Sequence, residues 1–147
     1  MIGERLEEIR KELNAFDDEL MKYSFLVELS AYVKPDQPDL ITEENLHHGC
    51  QSQVWIRYRI TDGKFYMNAT SDTLIIRGVL YVMMQLFNGL PPEEIARSRI
   101  DFLKECGIAQ HFTGSRISGI GGITEAVYTY CDTCSIKSAG PAQSQPA

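Results

Sequence analysis

The sequence has no apolar run approaching the roughly 20 residues that a bilayer-spanning helix requires, so a membrane-embedded helix is not expected. It has no cluster of lysine and arginine either. Its 14 basic residues are outnumbered by 20 acidic ones, and the formal charge is −6. A nucleic-acid partner is therefore not expected. Cysteine is sparse, with four residues, and no internal repeat is visible. Met1-Ile2-Gly3-Glu4-Arg5 reads as the opening of a charged helix rather than an export signal, so the expected location is the cytoplasm. There, disulfide staples are not expected. What is present fits one globular domain: 147 residues, 44% of them hydrophobic and 23% charged.

Hydrophobic spacing sets the expected elements. Leu6, Ile9, Leu13 and Phe16 recur at helical intervals and predict a helix over 4–16. Asp17 and Asp18 are candidate caps for a second helix over 18–33, with Leu20, Tyr23, Leu26, Val27 and Leu29 as its apolar residues and Pro35 and Pro38 ending it. A polar stretch, 34–49, follows. The period then switches to two. Val54, Ile56, Tyr58 and Ile60 face one way, and Trp55, Arg57 and Arg59 the other. Asp62-Gly63 predicts a hairpin turn, with a return strand over 64–70. Ser71 or Asp72 is placed to cap a long helix over 72–88, apolar nearly all round and so expected to be buried. Pro91-Pro92-Glu93-Glu94 opens a short helix, and further short helices are expected near 101–105 and 108–112. Ser115 is expected to cap a last helix to 131, weakened at its start by Gly119, Gly121 and Gly122. The Ser, Ala, Gln and Pro of 132–147 read as a flexible tail after a domain over 1–131. The fold class is α+β: a small antiparallel sheet with helices packed on one face.

Cys106 closes a short helical stretch and reads as a packing thiol. Cys50 stands differently, between a polar loop and a strand, with Gly49 beside it to free the backbone. His47 and His48 precede it and raise the possibility of a Cys–His pair, although paired histidines on a polar loop are usually solvated.

Around Cys50, Gly49-Cys50-Gln51-Ser52-Gln53-Val54-Trp55 is similar to the signature of the SufE-like sulfur-acceptor family. The likeness continues in order through Ser71-Asp72 with Ile76-Arg77-Gly78, Tyr81 to Ile95, and Gln110-His111-Phe112 with Ser115-Arg116 and Gly119, covering 5–131. The resemblance implies an α+β fold shared with IscU-type scaffolds. It also implies a SufS-like, pyridoxal-phosphate-dependent cysteine desulfurase as partner, with sulfur accepted as a persulfide on Cys50 and passed to an iron–sulfur scaffold protein. On this reading the chain holds no cofactor and no metal of its own, and acts as a sulfurtransferase-type accessory that stimulates the desulfurase, as monomer or homodimer.

Transfer of this kind needs a thiolate, and free cysteine titrates near pH 8.5. Arg116 and Arg77 are the candidate cations to stabilise it. Asp72 is either a helix cap or a positioner of the cysteine loop. Gly49, Gln51, Ser52 and Gln53 are the expected loop-holding and partner-facing residues. Cys131-Asp132-Thr133-Cys134 is not explained by the resemblance. It leaves a zinc or redox module open as an alternative, beside an iron–sulfur scaffold binding its own cluster.

Overall fold

A computed structural model describes residues 1–49, 52–112 and 114–139. The first helix, α1, spans Ile2–Asn14 and buries Leu6 and Leu13. Phe16, expected inside it, lies just beyond and packs its ring on Phe25 at 5.0 Å. Helix α2 spans Glu19–Leu29 and is capped by Asp18, whose carboxylate accepts the Leu20 N–H at 2.9 Å. It ends in a 3-10 turn at Ser30–Tyr32 rather than continuing to 33. Its inward residues are Lys22 and Leu26, while Leu20 and Tyr23, counted from the sequence as part of the apolar stripe, are exposed.

Three strands form one antiparallel sheet in the order β1 (Leu46–His47), β2 (Val54–Thr61), β3 (Lys64–Ser71). The β2–β3 turn holds Asp62 at φ 54° and Gly63 at φ 73°, the doubly positive geometry that makes Asp-Gly the favoured two-residue connection. Register follows from it: Val54 opposes Ser71, Ile56 opposes Ala69 and Ile60 opposes Phe65. Val54, Ile56, Phe65, Met67 and Ala69 line the buried face. The other face carries Arg57, which donates to the Asp39 carbonyl, and Arg59, which lies over the Tyr66 ring. Trp55 alternates onto this second, loop-covered face, half buried, and not into the helical layer.

Helix α3 (Leu74–Phe87) crosses the buried face. Nine of its residues are buried, as the spread of apolar side chains implied. Gly78 is where α2 lies directly on it, since a Cβ there would sit 1.9 Å from the Leu26 carbonyl oxygen. After α3, the Asn88 side chain acts like a piece of strand. Its Oδ1 accepts the Met67 N–H at 2.8 Å, and its Nδ2 donates to the Met67 carbonyl at 3.0 Å. Gly89 and Leu90 continue the pairing with Phe65. Arg5 of α1 donates to the carbonyls of Leu86 and Asn88, closing the C-terminus of α3.

The short helices α4 (Pro92–Ser98) and α5 (Phe102–Glu105) and a 3-10 turn at Ala109–His111 lead into α6, Gly114–Ala139. This helix begins one residue before Ser115, and it does not stop at 131. The CxxC segment is helical, with Cys131 and Cys134 buried on one side three residues apart. That spacing continues the inward face of Ile120, Ile123 and Val127, which outweighs the tail-like composition of the residues that follow. Tyr130 stacks on Tyr58 at 4.8 Å. At 121 a Cβ would meet open space, and at 122 only the His47 ring at an ordinary 3.6 Å, so close packing does not account for these two glycines.

Candidate functional site

Strand β1 delivers the chain to Gly49, whose φ of +111° is a conformation that side-chain-bearing residues rarely adopt. Cys50 and Gln51 lie outside the described residues. The chain re-emerges at Ser52, and from there to β2 it is fastened to the start of α3. Thr73 Oγ1 donates to Ser52 Oγ at 2.8 Å. The Gln53 N–H donates to Asp72 Oδ1 at 3.1 Å, and the Gln53 carbonyl accepts from Ser71 Oγ at 2.7 Å and from the Asp72 N–H at 3.2 Å. Asp72 therefore does not cap the helix. The cap position falls on Thr73, which makes no side-chain cap bond, and the Asp72 carboxylate is turned across to the other segment. Arg77 Nε in turn donates to the Ser71 carbonyl at 2.7 Å and braces the same junction.

Of the loop residues expected at a partner surface, Gly49 and Gln53 are exposed, whereas Ser52 is buried with its hydroxyl facing Thr73. The contributions of Ser71 and Thr73 were not foreseen from sequence. Three consecutive side chains with oxygen acceptors before a helix read as competing caps, and here they staple a neighbouring segment.

Arg116 is the third residue of α6. The helix runs parallel to β2: Tyr130 lies on Tyr58, and Gly122 lies beside His47, the partner of Val54. At 1.5 Å per residue, Arg116 is roughly 9 Å further along the axis, on the side toward which the 48–53 segment leaves the sheet. Helix α3 also starts at this end, directly after Ser71. Helix α2 runs parallel to α3, because Leu26 meets Gly78 and Tyr32 stacks on Tyr81. Three helix N-termini thus gather at the end of the sheet that bears the Cys50 segment. Their aligned peptide dipoles favour negative charge there, which is the condition for a thiolate.

The imidazole of His47 is pushed below its ordinary value of 6.5 by partial burial and by His48 beside it, and is neutral at pH 7. Its ring packs against α6 at Gly122. The remaining thiols are placed differently from any loop group. Cys106, Cys131 and Cys134 are free and buried. Burial, with small contributions from neighbouring charges, pushes Cys106 up to about 12. Burial, then Cys134 and Asp132, pushes Cys131 up to about 12. Both are protonated at neutral pH. Among the described residues, no group of three or more His, Cys, Asp or Glu side chains is arranged to hold a metal ion.

A small antiparallel sheet layered with helices, presenting a stapled loop beside gathered helix N-termini, defines an α+β domain with a single prepared end. The chain belongs to the SufE family, described as the Fe-S metabolism associated domain, which matches residues 7–131. That membership ties it to iron–sulfur metabolism. The same fold occurs in the solution structure of a hypothetical protein from Thermus thermophilus. The two are 18% identical, with a TM-score of 0.73 over 90% of this chain and 96% of that one. No helix among the described residues is long and apolar enough to cross a membrane.

Proposed function

We propose that this protein accepts sulfane sulfur on Cys50 from a pyridoxal-phosphate-dependent cysteine desulfurase in the cytoplasm and hands it on for iron–sulfur cluster assembly. The Cys50 thiolate attacks the outer sulfur of the donor's persulfide. A new sulfur–sulfur bond forms at Cys50, and the bond to the donor's Sγ breaks. The electron pair leaves on the donor thiolate, and the transferred sulfur keeps its oxidation state, so no external oxidant or reductant is needed. The pyridoxal phosphate belongs to the donor and carries out the carbon–sulfur cleavage. This chain supplies the thiol and its setting.

The observation that carries the reading is the staple between Ser52-Gln53 and Ser71-Asp72-Thr73. It fixes the C-terminal side of a two-residue segment whose N-terminal side turns at Gly49. Fixed flanks reduce the freedom that a nucleophile between them has to lose on reaching its target. Arg116 and Arg77 are assigned to favour the thiolate, and Asp72 to position the loop. The family's link to iron–sulfur metabolism supports the same reading.

The test uses the desulfurase with 35S-cysteine. Label appears on Cys50 as a reducible persulfide and vanishes in Cys50→Ser. Label on Cys131 or Cys134 instead overturns the assignment. Stoichiometric iron or zinc in the purified protein would favour a cluster scaffold or a metal module.

A further inference from the structure

Among the described residues, the large apolar side chains left exposed, apart from Met1 and Tyr32, all fall within the first five residues of α2, α3 and α6. They are Leu20 (71% exposed), Met21 (55%), Tyr23, Leu74 (51%) and Ile117 (39%). Those three helix starts share the end of the sheet from which the Cys50 segment leaves. Leu74 follows Thr73, whose hydroxyl holds Ser52, and Ile117 follows Arg116. Solvated helix starts are ordinarily polar. Apolar side chains concentrated at one end, with polar surface elsewhere, mark a face that another molecule covers.

We infer that this apolar collar, with Leu20 and Leu74 as anchors, is the docking surface for the protein that carries the donor persulfide. The inference rests on the sulfur-acceptor reading above and extends it from the thiol to the surface around it. The occupant follows from the chemistry. A sulfur–sulfur bond forms only when the donor's sulfur reaches near-contact with Cys50. The donor's surface must therefore lie over whatever flanks residues 49 and 52, and Leu74 is the apolar side chain tied to that point. Burying the collar supplies affinity without engaging the reacting atoms, and its two leucines combine high exposure at Leu20 with attachment to the Ser52 junction at Leu74. Tyr32 is an internal control. It is equally exposed at 71% but lies in the 3-10 turn past the C-terminus of α2, roughly 18 Å from Leu20 along the axis.

The experiment measures the KM of the chain as sulfur acceptor for the purified desulfurase that persulfidates it, using Leu20→Lys/Leu74→Lys and, separately, Tyr32→Lys. Iodoacetamide alkylation of Cys50 and the melting temperature serve as checks on the loop and the fold. Expected is a KM raised at least tenfold in the double variant, with alkylation and melting unchanged, and a KM unaltered in Tyr32→Lys. An unaltered KM in the double variant overturns the inference, as does an equal rise in Tyr32→Lys. So does a normal KM combined with impaired hand-off to a scaffold protein, or with loss of self-association, since these assign the collar to the downstream acceptor or to a second copy of the chain. If the wild-type chain acquires no persulfide from any desulfurase, the sulfur-acceptor reading itself falls and this inference falls with it.

Discussion

Removing the Asp72 carboxylate tests the staple most directly. Asp72 Oδ1 receives the Gln53 N–H at 3.1 Å, and the side chain is exposed. A hydrogen bond to a charged but solvated acceptor is worth about 1 kcal/mol net. At about 1.4 kcal/mol per tenfold, Asp72→Ala raises the population with the 52–53 segment released by about fivefold. Amide hydrogen exchange, read by NMR at Gln53, should speed up by that factor, because this N–H has lost its acceptor. Amides in α3 beyond its first turn should be unaffected. Asp72→Asn keeps an oxygen at the same place and should fall between wild type and Ala. Cys50 alkylation should rise with exchange at Gln53, in proportion, if the staple governs how freely the loop moves. Unchanged exchange at Gln53 in Asp72→Ala would refute the reasoning, because the bond would then hold nothing.

Three further outcomes follow from packing and burial. Gly78→Ala should destabilise by several kcal/mol or prevent folding, since its Cβ meets the Leu26 backbone, whereas Gly121→Ala, in open space, should stabilise by about 1 kcal/mol in thermal melts. Cys106, Cys131 and Cys134 should resist iodoacetamide at pH 8 in the folded protein and label fully in urea; native labelling of Cys131 would mean that α6 leaves the sheet. The Cys106 and Cys131 thiols have folded values raised to about 12 from an ordinary 9.0. Their contribution to stability is thus complete below pH 9 and is lost as pH rises through 12, by up to about 1.4 kcal/mol per pH unit for each. Urea titrations at pH 8, 10 and 11 should show that decline, and Cys106→Ala should lessen its slope by up to about 1.4 kcal/mol per pH unit, leaving the Cys131 contribution.

Much of the fold was legible where local chemistry decides the outcome. Asp62-Gly63 fixes a turn, the turn fixes the register, and alternation then decides which face is buried. Helix α3 was legible because so many apolar residues in one stretch have nowhere to go but inside. Strand β1 was not, because Leu46 and His47 are extended only by pairing with Trp55 and Val54, and nothing in their own propensities signals it. The end of α6 was hidden by composition: Ser, Ala and Gln read as tail, while Cys131 and Cys134 were continuing a helical face. At the candidate site, the family signature marked Cys50, which lies outside the described residues, and local rules read Asp72 as a cap. Its actual partner is 19 residues away in sequence, a distance that capping rules do not reach.

The Asn88 amide has a consequence for how this molecule can be recognised. By answering Met67 with both a donor and an acceptor, and with Gly89 and Leu90 answering Phe65, it occupies the outer rim of β3 over the first half of that strand. The opposite rim is β1, only two residues long. Because β1 pairs only with Val54 and Trp55, residues Ile56–Thr61 of β2 have no strand neighbour on that side among the described residues, so an incoming strand finds free backbone groups there and not along the first half of β3. Backbone pairing is thereby directed away from the first half of β3, where a companion meets a side-chain amide instead of a strand edge.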